Sequence, residues 1–214
     1  MPSICRRARW KLLNSEADVS LQCLPRNATQ KYVHSSSILN LVQRHGRDIF
    51  SCVCEDCTRH GKAVGIPLER RIYYYEEAEL TTTYLRIFGL LIYIQCPGLI
   101  LAFQRNRIYL DDRNLDEASL LNFLRRLADL DNEEVSAICK LIIEHQWRFL
   151  VERLDTRKSG TVLDSRRVLP FQDEKLIGKG AYAVVYRYRV RAEDRGEGLQ
   201  ACEVSERQGG KKFQ

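Results

Sequence analysis

The chain contains no apolar run long enough to cross a bilayer. From Gly89 to Phe103 fifteen residues, GLLIYIQCPGLILAF, carry no charge, short of the roughly 20 apolar residues that a spanning helix needs, and Gln95 and Pro97 interrupt them. No apolar segment follows the N-terminal arginines, so the pattern of a secretory signal is missing. Acidic residues are absent before Glu16, where Arg6, Arg7, Arg9 and Lys11 make a basic end. With a net charge of only +6 over 214 residues, that end reads as solvated, and neither a nucleic-acid nor a membrane partner is expected. Internal repeats are absent. The eight cysteines fall in no regular spacing, and without a signal they argue for reduced thiols in the cytoplasm, with the nucleus as the alternative.

What is present is the make-up of a soluble globular protein, 44% apolar and 29% charged. Residues 1–65 are mixed and turn-rich, and little fixed structure is expected there. One short helix, capped by Ser35–Ser37, runs through Ile38, Leu39, Leu41 and Val42 and is ended by Gly46. The helical region is 66–154, an all-α bundle. Pro67 opens a helical stretch from Leu68 to Cys96, with Tyr73, Tyr74 and Tyr75 as core or groove packing, and two buried helices meet at Cys96-Pro97. Asn114 with Glu117, then Asp131 with Glu134, are spaced as capping pairs. Leu120, Leu121, Leu124, Leu127 and Ala128 follow the first pair at helical spacing. Val135, Ile138, Leu141, Ile142 and Phe149 follow the second. His145 and Trp147 read as packing residues. Residues 155–168 are a linker by composition.

Between these stretches lies Cys52-Val53-Cys54-Glu55-Asp56-Cys57-Thr58-Arg59-His60. Cys52, Cys54, Cys57 and His60 are ligand types for zinc, with His45 as a further candidate. Structural zinc sites usually draw ligand pairs from separate parts of the chain, whereas these all lie in one run. The alternative is a cysteine-rich turn with free thiols.

The last part reads LPFQDEKLIGKGAYAVVYRYRV from Leu169 to Val190. Two glycines one residue apart, flanked by alternating Val/Tyr and Arg, specify a strand, a glycine turn and a second strand rather than a turn opening a helix. The run resembles the glycine-rich loop of the protein kinases, serine/threonine type, G-x-G-x-x-G-x-V. Gly178, Gly180, Ala183 and Val185 fall on its signature positions, and Tyr182 on its aromatic one. The resemblance implies an α+β fold, an N-terminal all-α bundle followed by a partial kinase small lobe of three antiparallel strands over 169–214. It also implies an ATP/Mg site lined by Ile177, Gly178, Lys179, Gly180, Ala181, Tyr182, Ala183, Val185 and Ala201. The layout, a helical segment ahead of the loop, is similar to fungal kinase-like proteins.

The same resemblance limits the activity. Glu203 stands where the family has its phosphate-binding lysine. A unit-charge contact at about 4 Å and an effective dielectric near 20 is worth roughly 4 kcal/mol, here with the sign reversed. Neither His-Arg-Asp nor Asp-Phe-Gly occurs in the sequence, so no catalytic residue is expected and phosphoryl transfer by these residues alone is not. The alternative function is a helical protein-interaction module with a vestigial kinase stub. Its protein partner would be met through 66–154 or through an open sheet edge near Leu199–Val204.

Overall fold

A computed structural model of the chain describes residues 3–20, 29–110, 114–127, 130–150, 168, 171–180 and 184–190. These divide into two units, one built from residues 3–150 with Val168 and the other represented by the strands within 171–190. The described residues are mostly helical and include two separate two-stranded antiparallel ribbons.

The first unit starts earlier than its composition suggests. Helix α1 (Ile4–Asn14) buries Cys5, Ala8 and Leu12 along one stripe. Strands β1 (Glu16–Ser20) and β2 (Thr29–Val33) pair antiparallel, Glu16 opposite Val33. The described residues within 1–65, expected to be poorly structured, therefore form defined helices and a strand pair. Tyr32 and Val33 are buried, and α1 packs on two later helices, so tertiary contacts stabilise what local signals leave undecided.

Helix α2 (Ser35–Phe50) runs past Gly46 instead of ending there. A Cβ at Gly46 would lie 2.7 Å from the Tyr75 hydroxyl, so the glycine serves close approach, not termination. The Ser35–Ser37 cap is also corrected. His34 is the N-cap residue, with no side-chain cap bond, and its carbonyl accepts from the Ser37 and Ile38 N–H groups.

After α3 (Glu55–Ala63) the stretch expected as one helix from Leu68 to Cys96 is broken. It consists of α4 (Leu68–Arg71), a 3-10 turn (Ile72–Tyr74), α5 (Glu77–Leu80) and α6 (Leu85–Tyr93). Tyr75 packs edge-on against Phe50, but Tyr73 is 82% exposed and Tyr74 lies under Arg105, which corrects their reading as core. Helix α6 is buried on all sides apart from Arg86 and forms the centre of the core. Gln95, at φ 65°, ends the α6 segment. Pro97 then opens a 3-10 turn into α7 (Ile100–Arg105), so two buried helices do meet at Cys96-Pro97. Among the described residues no helix is long and apolar enough to cross a membrane.

Helices α8 (Glu117–Leu124) and α9 (Asn132–His145) pack on each other, and α9 also packs on α6. Asp131 caps α9 by accepting from the Glu133 and Glu134 N–H groups at 2.9 and 2.8 Å. The α8 cap is Asp116, which accepts from Ser119 N–H at 2.8 Å, and not Asn114. Leu120, Leu124, Val135, Ile138 and Ile142 face the core. Leu141 does not, and Cys139 takes the place assigned to it. Gln146 is buried and holds the backbone of Leu115 from both sides, accepting its N–H at 2.7 Å and donating to its carbonyl at 3.3 Å. His145 packs edge-on against Tyr93, and Trp147 is buried.

In the second unit β3 (Phe171–Lys179) pairs antiparallel with β4 (Val184–Val190). The register sets Gly178 opposite Val185 and Lys179 opposite Val184, with irregularities between Gln172 and Lys175 and between Leu176 and Gly178. Ala181–Ala183, the 155–167 part of the linker, Ala201 and Glu203 lie outside the described residues. So does the third strand expected around Leu199–Val204.

Candidate metal centre

The sulfurs of Cys5, Cys52, Cys54 and Cys57 all lie within 4.8 Å of one another. The local sequence explains three of them. Ser51 closes α2, and Cys52 follows directly, its N–H bonded to the Ile49 carbonyl. Cys54 is the N-cap of α3 in extended backbone (ψ 161°), and Cys57 occupies the first turn of that helix. A Cys-x-x-Cys pair across a helix start turns both sulfurs to one side. The fourth thiol comes from the first turn of α1, where Ser3 is the N-cap and its Oγ lies 3.1 Å from the Cys5 sulfur.

Two helix N-termini, those of α1 and α3, therefore meet at this cluster, and their dipoles favour negative charge on sulfur. The environment separates the thiols. Burial raises Cys54, but the Cys57 N–H and the thiols of Cys5, Cys57 and Cys52 outweigh it and hold Cys54 at about 7. Burial pushes Cys5 up to about 11, against the Ser3 hydrogen bond, and raises Cys57 above the ordinary thiol range. Four thiolates around a metal at about 2.3 Å stand roughly 3.8 Å apart. The Cys5–Cys54 separation is 3.3 Å and no sulfur pair exceeds 4.8 Å, so the observed spacings bracket that value. The cluster can hold a metal ion.

The backbone around the ligands is braced from outside. Arg71, 2% exposed, donates to the Cys57 carbonyl at 2.8 Å and to the Thr58 carbonyl at 3.3 Å. Its guanidinium occupies the space that a side chain at Gly61 would fill, since a Cβ there would lie 1.4 Å from Nη2. Supports of this kind orient the residues that ligate.

Comparison of the chain with protein-family models, with curated proteins and with solved structures finds no match.

Three of the four ligand candidates read from sequence, Cys52, Cys54 and Cys57, are brought together here. His60 is not part of the cluster. It is buried, with Nε2 3.9 Å from the Cys96 sulfur, and burial lowers its pKa. His45 accepts a 2.7 Å hydrogen bond from Lys11 when neutral. Cys5 was missed because it sits in a stretch that reads as unstructured. The available signal was the need for a ligand from a separate part of the chain. Burial pushes Cys96 up to about 12, so that thiol is no nucleophile at neutral pH. Of the residues singled out for a nucleotide, Ile177 is 62% exposed and a Cβ at Gly178 would meet open space. Lys179 ends β3, and Gly180 follows it.

Proposed function

We propose that the chain is a protein-kinase-like protein in which β3 and β4 are the glycine-rich ribbon that covers a nucleotide. The observation that supports this reading is the antiparallel pairing of the two strands, with Gly178 opposite Val185 beside the turn. Residues without a Cβ at such a turn let the backbone approach phosphate closely. ATP with Mg²⁺ is the ligand the reading implies. With Glu203 at the lysine position and no His-Arg-Asp or Asp-Phe-Gly in the sequence, these 214 residues do not transfer phosphate by themselves on this reading. Sequencing the transcript across codon 214 tests it. A frame that continues into those two motifs supports a kinase; a message that stops there leaves a ribbon without a nucleotide site and passes the function to the helices.

A second reading is favoured by the four-cysteine cluster: the helical unit is a protein-interaction module stapled by zinc. Four sulfur ligands select Zn²⁺ among the common biological cations, and the reducing cytoplasm or nucleus keeps the thiols available for it. Elemental mass spectrometry of protein purified without added metal or chelator decides it. One zinc per chain is expected; metal-free protein with four alkylatable thiols refutes the staple.

A further inference from the structure

We propose that a pocket between α1 and α2 binds the phosphate group of a phosphorylated ligand or free orthophosphate. The inference is independent of both readings above. The pocket measures about 140 Å³, enough to admit a tetrahedral oxyanion. Its polar lining is Lys11 and Ser15 from the α1 side and Ser37, Asn40, Arg44 and His45 from α2, over two leucines. All six side chains carry donors and none is a carboxylate, although the Ser15 hydroxyl already donates to the Leu12 carbonyl at 2.9 Å.

Lys11 is held at the rim by its 2.7 Å bond to His45 Nε2, which leaves other ammonium hydrogens for a ligand. Among the described residues no ion pair takes Lys11 or Arg44. Ser37 lies in the first turn of the 16-residue α2, at the positive end of its dipole. Two neighbouring cavities that also touch His45 differ in one respect. Asp48 lines both, and Glu77 lines one of them, so only the small pocket is free of carboxylates among the three. A doubly charged tetrahedral oxyanion can use donors from both helices that line the pocket, whereas a carboxylate presents only two oxygens.

The test is a ¹H–¹⁵N titration of the full chain with inorganic phosphate and with O-phosphoserine at constant ionic strength. Saturable shifts confined to residues 11–15 and 37–45 are expected. Lys11→Met and Arg44→Met should each weaken binding about tenfold, while Arg7→Met, in a neighbouring cavity, should leave it unchanged. Ser37→Ala removes one donor without altering charge and keeps the test open if a charge variant misfolds. Binding of O-phosphoserine assigns the site to phosphomonoesters; binding of orthophosphate alone assigns it to the free anion. Shifts that do not saturate, or equal weakening by all three charge variants, overturn the proposal.

Discussion

The sulfur of Cys5 stands 3.3 Å from that of Cys54 across a separation of 49 positions in the chain. The other two thiols of the cluster are neighbours of Cys54 in sequence, so Cys5 is the member of the four that brings the N-terminal helix to α3. That helix is otherwise held by its packing on α2 and α6 and by the Arg9 bond to the Tyr93 carbonyl at 2.7 Å. Its fully buried side chains are Cys5, Ala8 and Leu12, and an ion bound by all four sulfurs would fasten it.

Cys5→Ser should therefore do two separable things. Zinc affinity should fall by about 100-fold or more, since a hydroxyl is a poor ligand for the ion. Amide exchange should accelerate over residues 4–14 and leave α6 protected, as read by hydrogen-exchange mass spectrometry. Exchange in α1 that stays as slow as in the parent chain would show that apolar packing is sufficient.

Gly61→Ala should cost about 2–4 kcal/mol in urea denaturation, because the new methyl enters the space of the Arg71 guanidinium. Arg71→Met in the same background should recover part of that loss, since the flexible thioether stem can yield where the planar cation cannot. Additive effects of the two changes would mean that they do not share the slot.

Acidification should fray α8 from its start. Asp116 accepts from the Ser119 N–H, and that bond holds its carboxyl below the ordinary carboxylate range. A depressed folded pKa contributes stability that is present above the unfolded value, about 3.9, and is lost as pH falls through the folded one. Exchange at residues 117–120 should rise in that window, and Asp116→Asn should flatten the dependence. An Asp116 carboxyl that titrates at the ordinary value by NMR would remove the argument.

Isothermal calorimetry of the 214-residue chain with Mg-ATP should give no heat at submillimolar affinity. Glu203 stands where the resemblance places a phosphate-binding lysine, and carboxylate and phosphate repel. A clear submillimolar isotherm would require some other residue to neutralise the triphosphate.

Legibility differed along the chain for physical reasons. The α9 cap at Asp131 and the core stripe through Val135, Ile138 and Ile142 follow from contacts three and four residues apart, so local spacing is enough to read them. The pairing of β3 with β4 is local in the same sense: alternation and two glycines point to it. Gly46 misled because a glycine that ends a helix and one that admits a neighbouring ring are the same letter. The tyrosines at 73–75 misled because a broken helix turns successive side chains to different sides.

By itself the sequence determined that the chain is helical through its middle, that its one long apolar run is broken by Gln95 and Pro97, and that a run of cysteines at 52–57 has the chemistry of a metal ligand set. Only the tertiary structure decided which residue completes that set. Cys5 and His60 are equally good donors on paper. The choice between them depends on how α1 packs on α2 and α6 and on which side of α3 meets the Pro97–Leu99 turn, and those contacts join residues that are distant in sequence.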